Sequence, residues 1–423
     1  SGFLRLARLD RLFIVAMRVA RWKGWGNAVE DVTRRVIFYV PGFDPFPFRR
    51  YRELYRAEAQ RQAALVGYQI YQLPPNPALG ADWVVDSVFE GHRTFAAFVV
   101  LGWSDLVKQA MSAGILRTYL ALFQTLWIYI YSRAFFDLVQ MRKGPVIAAL
   151  YPVVMLLGQL FIALFTAWLV SLNFSNFWLS VLFVSFVFIA VLRGFKALDR
   201  IFFAYYLMQD FAFSAQLRGA YPASLQQRIA AFNARIENAL KENWDEILVV
   251  GHSSGAHIAI SALAQIERSA ALDEAQANVG FLSLGQVIPM VAFLPNAGQL
   301  RRDLYDISRS TAIYWVDITA PGDGCSFSLC DPVAVSALPL AGQTGPLVLS
   351  AAFSQALSRT RWRRLRWRFF KLHFQYLCAF DETRHYDYFA ITAGPMSLRK
   401  RFCNRKPSKQ VQKIAYNRYR EIA

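Results

Sequence analysis

Apolar positions follow three patterns along this chain. Short β-branched runs bounded by turn residues predict buried strands over 35–40 (RVIFYV), 68–73, 247–250, 279–284 and 312–318. Residues 374–380 (FQYLCAF) predict the last strand, and residues 83–100 alternate as a hairpin does. Helical spacing over 48–65 and 222–243 places helices between the strands, so the pattern predicts an α/β fold: a mostly parallel sheet flanked by helices.

The second pattern is unbroken. Residues 144–192 are 49 positions without Asp, Glu, Lys or Arg. A helix rises about 1.5 Å per residue against a hydrocarbon core of about 30 Å, so one span uses roughly 20 residues. The segment therefore predicts a membrane hairpin, with helices at about 145–170 and 177–192 and the polar turn 171–176 (SLNFSN) between them. Two buried helices of a soluble core would need a polar face, which this segment lacks. Arg133, Arg142 and Lys143 precede the hairpin and Arg193, Lys196 and Arg200 follow it, which puts both flanks of the chain on the cytoplasmic side. Residues 118–132 are uncharged over only 15 positions, and 195–214 carry Lys196, Asp199, Arg200 and Asp210; both read as interfacial or packing segments.

The third pattern is basic and amphipathic. Residues 3–22 align Leu6, Leu9, Phe13, Ala16 and Ala20 on one stripe opposite Arg5, Arg8, Arg11 and Arg18. That suits an interfacial helix on anionic lipid and equally a helix packed on a domain; arginines interrupt any signal-peptide core. Residues 359–371 hold seven basic residues among Trp362, Leu365, Trp367, Phe369 and Phe370, and the tail adds nine more from Arg399 to Arg420.

Composition sharpens this picture. The chain has 423 residues, a net charge of +18, 55% hydrophobic and 18% charged residues. So apolar a chain is not disordered, and its charged fraction is below the roughly 25% of soluble domains. Beside a membrane hairpin, attraction to anionic headgroups accounts for the positive charge more simply than nucleic acid does. The expected partner is thus a bilayer with anionic headgroups, not nucleic acid. Four Cys make no disulfide scaffold, and Cys325-x4-Cys330 lacks nearby His, so free thiols and no metal or cofactor are expected. No phosphate loop or dinucleotide fingerprint is present.

Chemistry concentrates at 247–257, ILVVGHSSGAH: a strand, then Gly251-His252-Ser253-Ser254-Gly255, then a helical pattern. This is G-x-S-x-G in the strand–turn–helix context of a nucleophile elbow. The strained turn leaves room only for small residues two before and two after the serine. The following helix N-terminus favours developing negative charge.

On these residues the chain resembles the α/β-hydrolase superfamily, as a membrane-anchored, esterase- or lipase-like member. The resemblance implies that the loop after strand 35–40 (PGFDP) supplies one oxyanion-hole N–H, by position Phe43, with Ser254 supplying the second. Pro41 stands where many members carry His, which leaves a backbone donor unaffected. It also implies the chain order Ser…Asp…His. The acid is expected after strand 312–318, where Asp323 sits in a Gly-Asp-Gly turn, with Asp317 and Asp331 as alternatives. Of the five histidines, His252 and His257 belong to the elbow and its helix, and His92 precedes it. His385 lies in the loop after 374–380 and is the expected base, with His373 read as packing. Catalytic Ser253, Asp323 and His385 would act through an acyl-serine on a carboxylic ester, lipid-like by location. Transfer of the acyl group to an alcohol, and a catalytically silent membrane scaffold, are the alternative readings.

The expected organisation is a basic amphipathic helix at 1–30, a first core part at 31–75, an insertion with the hairpin at 76–221, a second core part at 222–395 and a basic tail at 396–423. The hairpin has two spans because strands 35–40 and 247–250 can pair only on one side of a membrane. The insertion would serve as an anchor and as part of an acyl-binding channel.

Overall fold

The computed structural model describes residues 31–269 and 271–422. The amphipathic segment 3–22 lies outside them. Eight strands form one sheet in the order β2-β3-β4-β1-β5-β6-β7-β8. They are β1 Arg34–Val40, β2 Gln69–Leu73, β3 Trp83–Phe89, β4 His92–Val100, β5 Glu246–His252, β6 Asn278–Leu284, β7 Ile313–Thr319 and β8 Leu347–Ser350. From β4 to β8 all neighbours are parallel, while β3 runs antiparallel to both β2 and β4.

The central strands are buried on both faces, as a parallel sheet covered by helices requires. Along β1, Val36, Phe38 and Val40 enter one apolar layer, and Ile37 and Tyr39 the other. The first layer packs the helices Ala223–Leu240, Gly255–Arg268 and Gly298–Arg309 on the sheet, and the second packs Arg49–Val66 and the segments that follow β8.

Two features depart from the sequence reading. The 83–100 hairpin is present, with Glu90 and Gly91 at positive φ in its turn, but both strands belong to the main sheet. The helical insertion therefore begins after Val100, not at residue 76. Residues 374–380 form no strand: Phe374–Leu377 is a 3₁₀ turn, and the last strand is the four-residue β8. An apolar run of that length is buried equally well as strand or helix, and periodicity does not separate the two.

Within the insertion, Lys143–Ser171 and Phe177–Ala197 are long and apolar enough to cross a membrane. Asn176 caps the second, its side chain accepting from the N–H groups of Trp178 and Leu179. Ser104–Met111 and Ile115–Tyr131 are apolar enough only together and are bent by 103° at their junction. Because β1 pairs with β4 on one side and β5 on the other, the chain leaves and rejoins the same sheet edge-on. An excursion through a bilayer between β4 and β5 must cross an even number of times. The basic tail is also part of the fold: Leu398–Phe402 packs on β6 and β7, and Arg418 grips Asp137 of the insertion with two 2.9 Å bonds.

Candidate active site

Parallel register brings the working loops to one end of the sheet. Val40 lies opposite Gly251, His252 opposite Leu284, and Leu284 opposite Ile318. The turns after β1, β5, β6 and β7 therefore meet at the carboxyl edge, where α/β sheets place their ligands.

Ser253 occupies the turn between β5 and the helix Gly255–Arg268 with φ of 56°, a left-handed conformation that L-residues adopt at a cost. The flanking glycines are sterically required. A Cβ on Gly251 would lie 2.7 Å from the Ala256 Cα, and one on Gly255 would lie 2.1 Å from the Val40 carbonyl oxygen. A Cβ on Gly42 would stand 3.0 Å from the Ser253 Cβ, which sets the β1 loop directly beside the serine. Among the described residues, the backbone N–H groups of Phe43 and Ser254 have no hydrogen-bond partner. Two orphan donors next to the same hydroxyl suit an oxyanion. The Phe43 loop is held from the insertion, since Tyr206 donates its hydroxyl hydrogen to the Phe43 carbonyl.

Of the three acids considered, Asp323 meets an imidazole. Its Oδ2 is 2.8 Å from His373 Nδ1 and accepts from the Tyr376 hydroxyl at 3.1 Å, while Oδ1 accepts from the Cys325 N–H at 2.9 Å. Burial raises the pKa of this carboxyl, but the His373 charge and the hydrogen bonds of His373, the Cys325 N–H and Ser326 outweigh it and hold it below the ordinary carboxylate value. Asp317 instead accepts from Ser283 inside the sheet at 2.6 Å, and burial lifts it to about 7. Asp331 caps the short helix Pro332–Val335.

The base expected at His385 is not the histidine that Asp323 holds. His385 is half-buried near Glu382 and makes no bond to Asp323; His373 does. The reason is the misassigned last strand. With β8 as that strand, the loop that follows it runs through the helices Arg359–Leu365 and Phe369–His373, and His373 ends the second. His373 is buried against the elbow. Its carbonyl is 3.0 Å from His252 Nε2, the two rings are 4.8 Å apart, and its Cε1 would lie 3.2 Å from a Cβ on Gly285. Burial first, and then His373, depress His252 to about 3. His252 is therefore neutral and donates Nε2–H to the carbonyl of His373. The elbow position read as variable thus braces the base.

One further carboxyl near the elbow escaped sequence reasoning. Asp210, on the insertion helix Ala204–Ala215, faces a small pocket of mixed lining in which Ser254, Ser214, Tyr221 and His257 are the polar members beside Trp103 and Phe213. Burial raises its carboxyl to about 7, against the opposing pull of His373 and the Ser254 hydroxyl. The available signal was a single acid in an aromatic helix beside a membrane segment.

Asp323, Cys325 and His373 offer ligand atoms within 4.8 Å of one another. Asp323 and His373 are hydrogen-bonded to each other, and burial and the Asp323 charge raise the Cys325 thiol above its ordinary value. All four cysteines are free thiols. No family model, curated protein or solved structure matches this chain.

Proposed function

We propose that this chain is a membrane-anchored serine hydrolase of the α/β-hydrolase type that cleaves a carboxylic ester through an acyl-Ser253 intermediate. One observation carries the reading: a buried Asp323–His373 pair stands against a strained, glycine-flanked elbow that presents Ser253. With Nδ1 committed to Asp323, His373 has Nε2 to take the proton from the Ser253 hydroxyl. The serine oxygen attacks the ester carbonyl carbon, and the N–H groups of Phe43 and Ser254 receive the oxyanion. His373 then returns the proton to the departing alkoxide. Water, deprotonated by the same imidazole, releases the acid and restores Ser253.

The two apolar helices support a membrane location for this chemistry. Arg142, Lys143, Arg193 and Lys196 flank them on the side of the sheet, which favours a cytoplasmic catalytic domain. The segment Arg359–His373 ends in the base and exposes Trp367 among arginines, a surface suited to anionic headgroups. A site at this interface meets amphiphilic esters at high local concentration.

A fluorophosphonate probe tests the reading. The full chain in detergent micelles is expected to be labelled at Ser253, with labelling lost in Ser253→Ala. An unlabelled wild type, or undiminished labelling of Ser253→Ala, overturns it.

A further inference from the structure

The helix Ala204–Ala215 follows the second candidate span in the chain and reaches each of the three segments that build the site. At the β1 loop, Tyr206 donates its hydroxyl hydrogen to the Phe43 carbonyl, and the Phe43 ring lies 6.0 Å from that of Tyr206 and 5.8 Å from that of Phe213. At the elbow, Asp210 shares a pocket with Ser254. On the side of the base, the Tyr206 ring lies 6.1 Å from Phe370, in the short helix that ends at His373. Positions 206, 210 and 213 recur at helical spacing, so one face of this helix serves the site.

Its other side is held by the insertion. The Asp199 carboxylate, just past the second candidate span, accepts from the N–H groups of Tyr205 at 2.8 Å and Tyr206 at 3.0 Å. Gln209 donates to the Thr118 hydroxyl at 3.0 Å, and Ala204 and Met208 pack with Leu156 and Leu192 of the two candidate spans.

Peptide geometry shows what this grip does. The Phe43 N–H belongs to the Gly42–Phe43 peptide. Gly42 has no side chain to restrain it, and none would fit, because a Cβ there would stand 3.0 Å from the Ser253 Cβ. Restraint on the donor must then come from the peptides on either side. Trp103 Nε1–H donates to the Pro41 carbonyl before it at 2.8 Å, and Tyr206 holds the Phe43 carbonyl after it.

We propose that Tyr206 is a positioning residue of the oxyanion hole, fixing the loop that presents the Phe43 N–H from a helix anchored by the apolar hairpin. The proposal rests on the serine-hydrolase reading and makes the insertion part of the catalytic device as well as its anchor.

Tyr206→Phe removes one oxygen and keeps the ring contacts. For the full chain in detergent micelles acting on a short p-nitrophenyl ester, kcat is expected to fall about 10–100-fold and KM to stay within about twofold. The pH profile of kcat/KM, which reports the base, is expected to keep its position. A trifluoromethyl ketone probes the hole directly. The Ser253 oxygen adds to its carbonyl carbon, the serine proton passes to His373, and the carbonyl oxygen becomes an alkoxide. The Ki of this ketone should rise by the factor by which kcat falls. Asp199→Ala, which loosens the start of the helix, is expected to lower kcat about 3–10-fold with the same signature. Tyr129→Phe deletes a similar bond, to the Met290 carbonyl at 2.9 Å, and kcat should stay within about twofold.

Undiminished kcat and ketone affinity in Tyr206→Phe overturn the proposal and leave the serine reading standing. A shifted pH profile, or an equal loss in Tyr129→Phe, also overturns it, because the damage then lies in the base or in the fold. A wild type that hydrolyses no ester overturns the serine reading and this proposal with it.

Discussion

The sheet and the long apolar hairpin are both built from apolar side chains, yet they treat them oppositely. Val249 of β5 and Leu248 beside it have no exposed surface, whereas Leu182 of the second candidate span is 62% exposed and Trp178 is 77% exposed. Leu192, 5% exposed, is the one buried side chain of Phe177–Ala197. In water, apolar surface must be covered by protein, and the strands achieve this on both faces. In hydrocarbon, nothing drives that covering, and a helix satisfies its backbone internally while leaving its side chains outward. The two long helices thus carry the surface that a hydrocarbon solvent would call for, and the candidate site lies where sheet and insertion meet: Ser253, Asp323 and His373 from the sheet side, Asp210 and Tyr206 from the insertion.

The sharpest way to break this division is at the site itself. Asp323→Asn keeps the shape of the pair but removes the charge that orients the imidazole, and is expected to lower kcat about 10⁴-fold. His373→Ala should be at least as damaging, while His385→Ala should stay within about twofold of wild type. Steady-state hydrolysis of a short p-nitrophenyl ester distinguishes them, and the reverse pattern for the two histidines would refute the assignment of the base.

Next in size is the contrast between solvents. Leu248→Ala opens a cavity in the sheet and is expected to cost about 2–5 kcal/mol. Leu182→Ala, on an outward face of the second span, is expected to cost less than about 0.5 kcal/mol. Thermal unfolding of both variants in detergent micelles measures the difference. Equal costs would mean that the hairpin packs like a soluble core.

The smallest effect is expected at the junction. Asp210 has a folded value of about 7 against an ordinary value of 3.8. Between these values the folded state holds the extra proton, so the group's contribution to stability falls as pH rises through that window and is constant above it. Asp210→Asn should therefore stabilise the protein at pH 8 by about 1–2 kcal/mol, discounted for water in an open pocket, and leave it nearly unchanged at pH 4. Melting temperatures of the two proteins at both pH values check the sign; a variant less stable at pH 8 contradicts it.

Legibility in the sequence followed locality. The elbow was readable because its requirement, small residues around Ser253, lies within five positions, and the glycine contacts bear this out. The two long apolar helices were readable because their length and lack of charge are properties of contiguous residues. The histidine was not. FQYLCAF has the composition of a buried strand and is buried as a 3₁₀ turn, while the actual last strand, LVLS, is too short to announce itself. Counting loops from the wrong strand moved the base from His373 to His385. The membership of 83–100 in the main sheet was hidden for a related reason: alternation shows a hairpin but not which strand it joins.

By itself the sequence determined what contiguous residues can settle: an α/β alternation, a strained serine turn, and an uncharged stretch long enough for two spans. Tertiary structure alone decided which carboxylate and which imidazole meet, 50 residues apart in the chain, and that Asp210 of the insertion lines a pocket with Ser254. The physical reason is that backbone preference and hydropathy act over a few residues. A hydrogen bond between distant side chains depends on strand register and on which buried run becomes strand or turn, and those choices are made by packing the whole chain at once.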